Sequence, residues 1–212
     1  ATEHMNSTVI QASRWSFAPR TEYLKFARTA AHEFFHTWNV KQLRPAEFHQ
    51  YNYGAENYTS LLWFFEGFTS YYDDLQLFRS KRIDLKTYLK LVANNWNGIL
   101  RGPGRLKQSL ADSSFDAWTK YYQADENTPN AVVSYYGKGA LLALGLDLKI
   151  RHFTREQQSL DDLMRLIWQE HGVTLSGLAE DGLDHLILKL LGKGFTNTWN
   201  EFKEKFIEGV DD

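Results

Sequence analysis

Residues 32–36 read His-Glu-Phe-Phe-His, and Glu66 follows thirty residues after His36 inside the run Trp63-Phe64-Phe65-Glu66-Gly67-Phe68. This pair of segments constrains the fold more than any other feature of the chain. On a helix, His32 and His36 stand one turn apart and project from one face, close enough to share one metal ion. A buried carboxylate without a partner is unstable, so Glu66 among aromatic neighbours calls for a cation beside it. Two imidazoles and one carboxylate leave a fourth coordination position open, the pattern of a catalytic rather than a structural zinc site. The competing reading is a pair of core histidines with Glu66 on a solvated strip.

The surrounding residues favour helices. Tyr23 to Val40 reads as one helix, with Leu24, Phe26, Ala27, Ala30, Ala31, Phe34 and Phe35 at three-to-four spacing and no internal Gly or Pro. A second runs from Thr59, with Thr59 or Ser60 as cap, to about Phe78. Asp84 to about Ile99 forms a third, capped by Asp84. Residues 101–130 read as irregular around Gly102-Pro103-Gly104. Ala131 to about Phe153, Ser159 to His171 with a Ser159-x-x-Asp162 capping signature, Leu183 to Leu191 and Thr198 to Ile207 complete the pattern. Ahead of these, Thr8, Val9, Ile10 and Trp15 suggest one or two short extended segments. The expectation is a single mainly α domain over residues 1–212, extended over 1–18 and helical over 19–212.

With 43% hydrophobic and 15% aromatic residues in 212, the chain can build a sizeable core. A net charge of −2 with interspersed signs and no basic run argues against a nucleic-acid partner. The absence of cysteine removes disulfides and thiolate ligands, and leaves the redox compartment open, cytoplasm and periplasm alike. The most apolar stretch, Ala140 to Leu148, is far short of a membrane span.

His-Glu-x-x-His is the arrangement of zinc peptidases, in which Glu33 can reach a metal-bound water without being a ligand. Its wider setting is more specific. His32-Glu-Phe-Phe-His-Thr-Trp-Asn-Val-Lys, Arg44-Pro45, Glu56-Asn-Tyr-Thr, Leu62-Trp-Phe-Phe-Glu-Gly-Phe-Thr-Ser-Tyr-Tyr, Ser134-Tyr-Tyr-Gly-Lys-Gly-Ala and Leu146-Asp-Leu-Lys-Ile-Arg together resemble the glycyl aminopeptidase family of zinc metallopeptidases. The resemblance covers nearly the whole chain. It implies a thermolysin-like (gluzincin) catalytic domain binding one Zn2+ per chain. It also implies flanking domains in the full-length protein, an N-terminal β-rich domain and a C-terminal PDZ domain, so that this chain is the catalytic domain alone.

The resemblance assigns further roles. Glu33 is the general base. A tyrosine near Gly137-Lys138-Gly139 donates to the developing oxyanion; Tyr135 and Tyr136 are the candidates, Tyr136 matching the family spacing better, with Tyr135 read as a substrate-binding residue. Glu3-His-Met-Asn-Ser-Thr looks like the tail of a Gly-x-Glu-His motif, whose glutamate binds the free α-amino group of a peptide substrate; Ala1 and Thr2 stand where the upstream glycine is expected. Ser70, Asp73 and Asn39 are candidates to support the ligand histidines. Lys41 and Arg44 could line the cleft wall or pair with a peptide carboxylate but read first as structural residues, and His4, His49, His152, His171 and His185 read as surface or packing residues. The expected function is a zinc aminopeptidase releasing small N-terminal residues, Gly or Ala. The alternatives are a zinc endopeptidase on the same scaffold and a non-catalytic zinc-binding domain.

Overall fold

A computed structural model describes residues 1–211. Strands β1 (Thr2–Glu3) and β2 (Thr8–Val9) pair antiparallel, Glu3 opposite Thr8. Ten α-helices follow among the described residues: α1 (Arg20–Phe35), α2 (Leu62–Phe65), α3 (Gly67–Arg79), α4 (Leu85–Arg101), α5 (Leu110–Phe115), α6 (Thr128–Ala131), α7 (Tyr135–Phe153), α8 (Leu160–Ile167), α9 (Gly182–Leu191) and α10 (Thr196–Lys203). The domain is mainly α, as its periodicity predicts, and none of its helices is long and apolar enough to cross a membrane.

Helix α3 is the centre of the packing, with α1 on one side and α7 on the other. Phe64, Phe65 and Phe68 from α2 and α3 meet Leu142, Leu146 and Ile150 of α7 and Leu160, Leu163 and Ile187 of α8 and α9 in one core. A smaller core of Leu77, Ile83 and Tyr88 lies under α4 and receives Leu24 and Ala27 of α1. The approach of α3 to α7 is backbone on backbone. A Cβ on Gly139 would fall 2.6 Å from the Trp63 carbonyl oxygen, and one on Gly67 would fall 2.6 Å from the Gly139 Cα. Only glycine fits there, and the contact sets the start of α7 beside Glu66.

Two helix starts agree with the sequence, each fixed by local capping side chains. Asp84 accepts from the Thr87 N–H, and Ser159 and Asp162 form a reciprocal capping box. Elsewhere the boundaries differ. Helix α1 stops at Phe35 rather than Val40, because the chain turns back through Val40, whose φ is 148°, and the Lys41 N–H donates to the His36 carbonyl. The helix expected from Thr59 begins at Leu62 and breaks at Glu66; Thr59 donates to Glu180 and accepts from the Leu61 N–H. Residues 101–130 are not irregular but carry α5, α6 and short turns. Helix α7 begins at Tyr135 rather than Ala131, because Ser134 caps it by accepting from the Gly137 N–H.

Candidate active site and metal centre

Three of these local departures build the site. At the end of α1, His36 caps the helix and its Nδ1 pairs with the Asn39 carbonyl at 2.8 Å, which the early turn delivers. One turn earlier, His32 Nδ1 pairs with Asp73 Oδ2 of α3 at 3.1 Å. With both Nδ1 atoms engaged from behind, by Asp73 and by the Asn39 carbonyl, both Nε2 atoms face inward. They lie 3.2 Å and 3.3 Å from Glu66 Oε2. Glu66 sits at the break between α2 and α3. The Phe65 carbonyl before it accepts from Asn39 Nδ2 and Thr69 Oγ1. Asn39 from a distant segment and the local Thr69 hydroxyl thus both bond the backbone at the interruption.

His32 Nε2, His36 Nε2 and a Glu66 oxygen can each offer a donor atom within 4.8 Å of the others. Burial disfavours the charged form of all three. For His32, hydrogen bonds and charge from Asp73 and Glu66 outweigh it and hold the pKa up at about 9. For Glu66, the two histidines outweigh it and hold the pKa down at about 2. A carboxylate that stays ionised between two imidazoles, each fixed from behind, fits a divalent cation by donor type: two nitrogens and one oxygen. No other His, Cys, Asp or Glu cluster of this kind is present among the described residues.

The support continues outward. Arg28 Nε donates to Asp73 Oδ1 at 3.0 Å and lies 3.1 Å from Asp74 Oδ1. Burial and the neighbouring Asp73 charge raise the Asp74 pKa above the ordinary carboxylate value, against the pull of Arg28. Of the three proposed supports, Asp73 holds His32 and the Asn39 backbone holds His36; Ser70 hydrogen-bonds neither.

Glu33 lies beside the ligand group, with its Oε2 buried and without a hydrogen-bond partner. Burial raises its pKa; the two histidines pull it down, and Glu3 adds a further upward push. Glu3, on β1, is half-buried and pairs with Lys41 Nζ at 3.0 Å. The Tyr136 ring stands 6.1 Å from that of His32. Burial, with Glu66 and Tyr135 nearby, pushes its phenol far above the ordinary range, so it remains an O–H donor. Tyr135 is only 1% exposed and stacks on Tyr136, which places it behind the site. Sequence reasoning missed Tyr122, whose hydroxyl lies 3.4 Å from that of Tyr136. It comes from the segment read as irregular, and no spacing signal marks it. Arg28, one turn before His32, was missed too, although its position on the histidine face was a usable clue.

A family model described as M61 glycyl aminopeptidase matches residues 25–142, from α1 into α7. That segment contains His32, Glu33, His36, Glu66 and Tyr136 and stops short of Glu3. The crystal structure of an aminopeptidase N family protein from Idiomarina loihiensis superposes with a TM-score of 0.92 at 39% identity, covering 99% of this chain. This chain spans 36% of the length of that protein. No curated protein matches the chain.

Proposed function

Because this chain belongs to the M61 glycyl aminopeptidase family, we propose that it hydrolyses the N-terminal peptide bond of peptides beginning with a small residue, Gly or Ala. His32, His36 and Glu66 would hold one Zn2+. When bound there, zinc polarises the scissile carbonyl and acidifies a water ligand. The remaining work belongs to the protein. Glu33, desolvated and with a free buried oxygen, takes a proton from the attacking water and returns one to the leaving amine. The Tyr136 hydroxyl donates to the carbonyl oxygen as negative charge develops on it. Glu3 accepts from the substrate's α-ammonium, which fixes the cleaved bond one residue from the end.

The observation that carries this reading is the convergence of two Nε2 atoms on Glu66 Oε2 next to an unpartnered glutamate oxygen. A purely structural site has no use for that oxygen. The test is hydrolysis of glycyl and alanyl amides against their N-acetylated forms, with Glu33→Gln in parallel. Wild type should prefer the free amines, and Glu33→Gln should lose turnover while retaining metal. Equal turnover of acetylated substrates would replace the aminopeptidase with the endopeptidase reading, which one contact favours: the Glu3 carboxylate is already paired with Lys41. Full activity in Glu33→Gln would remove the hydrolase mechanism altogether.

A further inference from the structure

On the reading of Glu3 as the amine anchor, the Lys41–Glu3 ion pair stands where a substrate amine would dock. Lys41 Nζ lies 3.0 Å from Glu3 Oε1, and both side chains are largely shielded. The lysine is not a loose surface residue. Its N–H donates to the His36 carbonyl, and its own carbonyl accepts from Arg44 Nη2. The residue before it, Val40, has a φ of 148°, a backbone strain that a β-branched residue adopts only where its surroundings impose it. The strained turn that gives His36 its Asn39 carbonyl therefore also aims Lys41 at β1. Glu3 in turn is close enough to Glu33 for its charge to act on that carboxyl. A primary alkylammonium thus sits on the carboxylate of the proposed amine anchor. Chemically it is the same group as the α-ammonium of a peptide.

We propose that Lys41 is a specificity-determining residue: its ammonium competes in cis with the substrate's α-ammonium for Glu3 and so weakens the affinity for N-terminally free peptides. This rests on the reading of Glu3 as the amine anchor. When substrate binds, the Lys41–Glu3 contact gives way to the amine–Glu3 contact, and the Lys41 ammonium turns to solvent. No bond is made or broken and no proton moves. Substitutions at position 41 should therefore act in opposite directions. Lys41→Met keeps the aliphatic stem and removes the competitor. Lys41→Arg supplies a forked guanidinium that engages both carboxylate oxygens and holds Glu3 more tightly.

The experiment measures KM for alaninamide-type substrates against their N-acetylated forms in wild type, Lys41→Met, Lys41→Arg and Glu3→Gln. Calorimetric binding of alaninamide to the same proteins gives a readout independent of turnover. In Lys41→Met, KM for the free amine should fall about two- to five-fold, the range that part-exposed ion pairs contribute, and alaninamide should bind tighter by a similar factor. In Lys41→Arg both should move the other way. A rise in KM for Lys41→Met would mean that the lysine positions Glu3 rather than competes for it, and would overturn the proposal. So would an unchanged preference for the free amine in both lysine variants while Glu3→Gln abolishes it, which leaves the anchor reading standing. If Glu3→Gln leaves that preference intact, Glu3 is not the anchor and both readings fall together.

Discussion

The seam that joins α1, α3 and the start of α7 is built differently from the α8–α10 end of the molecule. Along the seam, helices stop, break or begin at the candidate site residues: at Phe35 before His36, at Glu66, and at Tyr135 before Tyr136. All three buried side-chain atoms left without a hydrogen bond among the described residues, Glu33 Oε2, Asn39 Oδ1 and Asp74 Oδ1, lie there. At the other end, Leu160, Leu163, Ile167, Leu183, Leu186 and Ile187 fill the core at helical spacing. Polar groups there are paired: Trp199 Nε1 donates to Asp184, and Asp162 accepts the Ser159 N–H. One region leaves three buried polar atoms without a hydrogen bond, and the other pairs its polar groups.

That contrast breaks if substitutions on the two sides have the same phenotype. The largest effect should come from Glu33→Gln. It should lower kcat by about 10²- to 10⁴-fold, the usual contribution of a general base, while the midpoint of thermal unfolding holds steady or rises, because a desolvated carboxyl has been neutralised. On the other side, Leu163→Ala should lower unfolding free energy in urea by about 2–5 kcal/mol, the range for emptying a core leucine site. Its kcat per folded molecule should match wild type. Coincident losses of activity and stability in both variants would erase the distinction.

Smaller effects sharpen it. Asp73→Asn removes the charge behind His32, and a zinc competition titration should show affinity reduced by about 10- to 100-fold. Asp162→Asn tests the scaffold's cap. Burial opposes the ionised form of Asp162, but the Ser159 N–H and hydroxyl, with Arg165, hold its pKa below the ordinary carboxylate value. A depressed folded-state pKa gives stability that is present above the unfolded pKa and disappears as pH falls through the folded one. The variant should therefore be less stable than wild type at neutral pH, by less than the roughly 1 kcal/mol of a fully lost cap, because Asn keeps an acceptor oxygen for the Ser159 N–H. The gap should close in acid; a gap that persists there assigns the effect to something other than ionisation.

The same division governs what can be read from the sequence. Helices α4 and α8 are bounded by Asp84 and Ser159, local caps whose effect is complete within a few residues, and both starts are legible. The pairing of His32 and His36 is legible because helical spacing puts them on one face, and Glu66 is legible as a lone carboxylate in an aromatic run. The end of α1 and the break at Glu66 are not, since they are set by contacts between distant segments: Asn39 with Phe65, and His36 with the returning turn. Tyr122 approaches Tyr136 through a fold of residues 101–130 that no periodicity announces. The Lys41–Glu3 pair joins a helix exit to a strand 38 positions earlier.

The central claim is that His32, His36 and Glu66 hold one metal ion. Elemental analysis of the zinc-equilibrated and dialysed protein, beside Glu66→Ala shown to be folded by circular dichroism, tests it most directly. The expected result is about one zinc per wild-type chain, the content of a single two-His, one-Glu site, and a large loss of it in Glu66→Ala. Wild type without zinc, or equal zinc in both proteins, would contradict it.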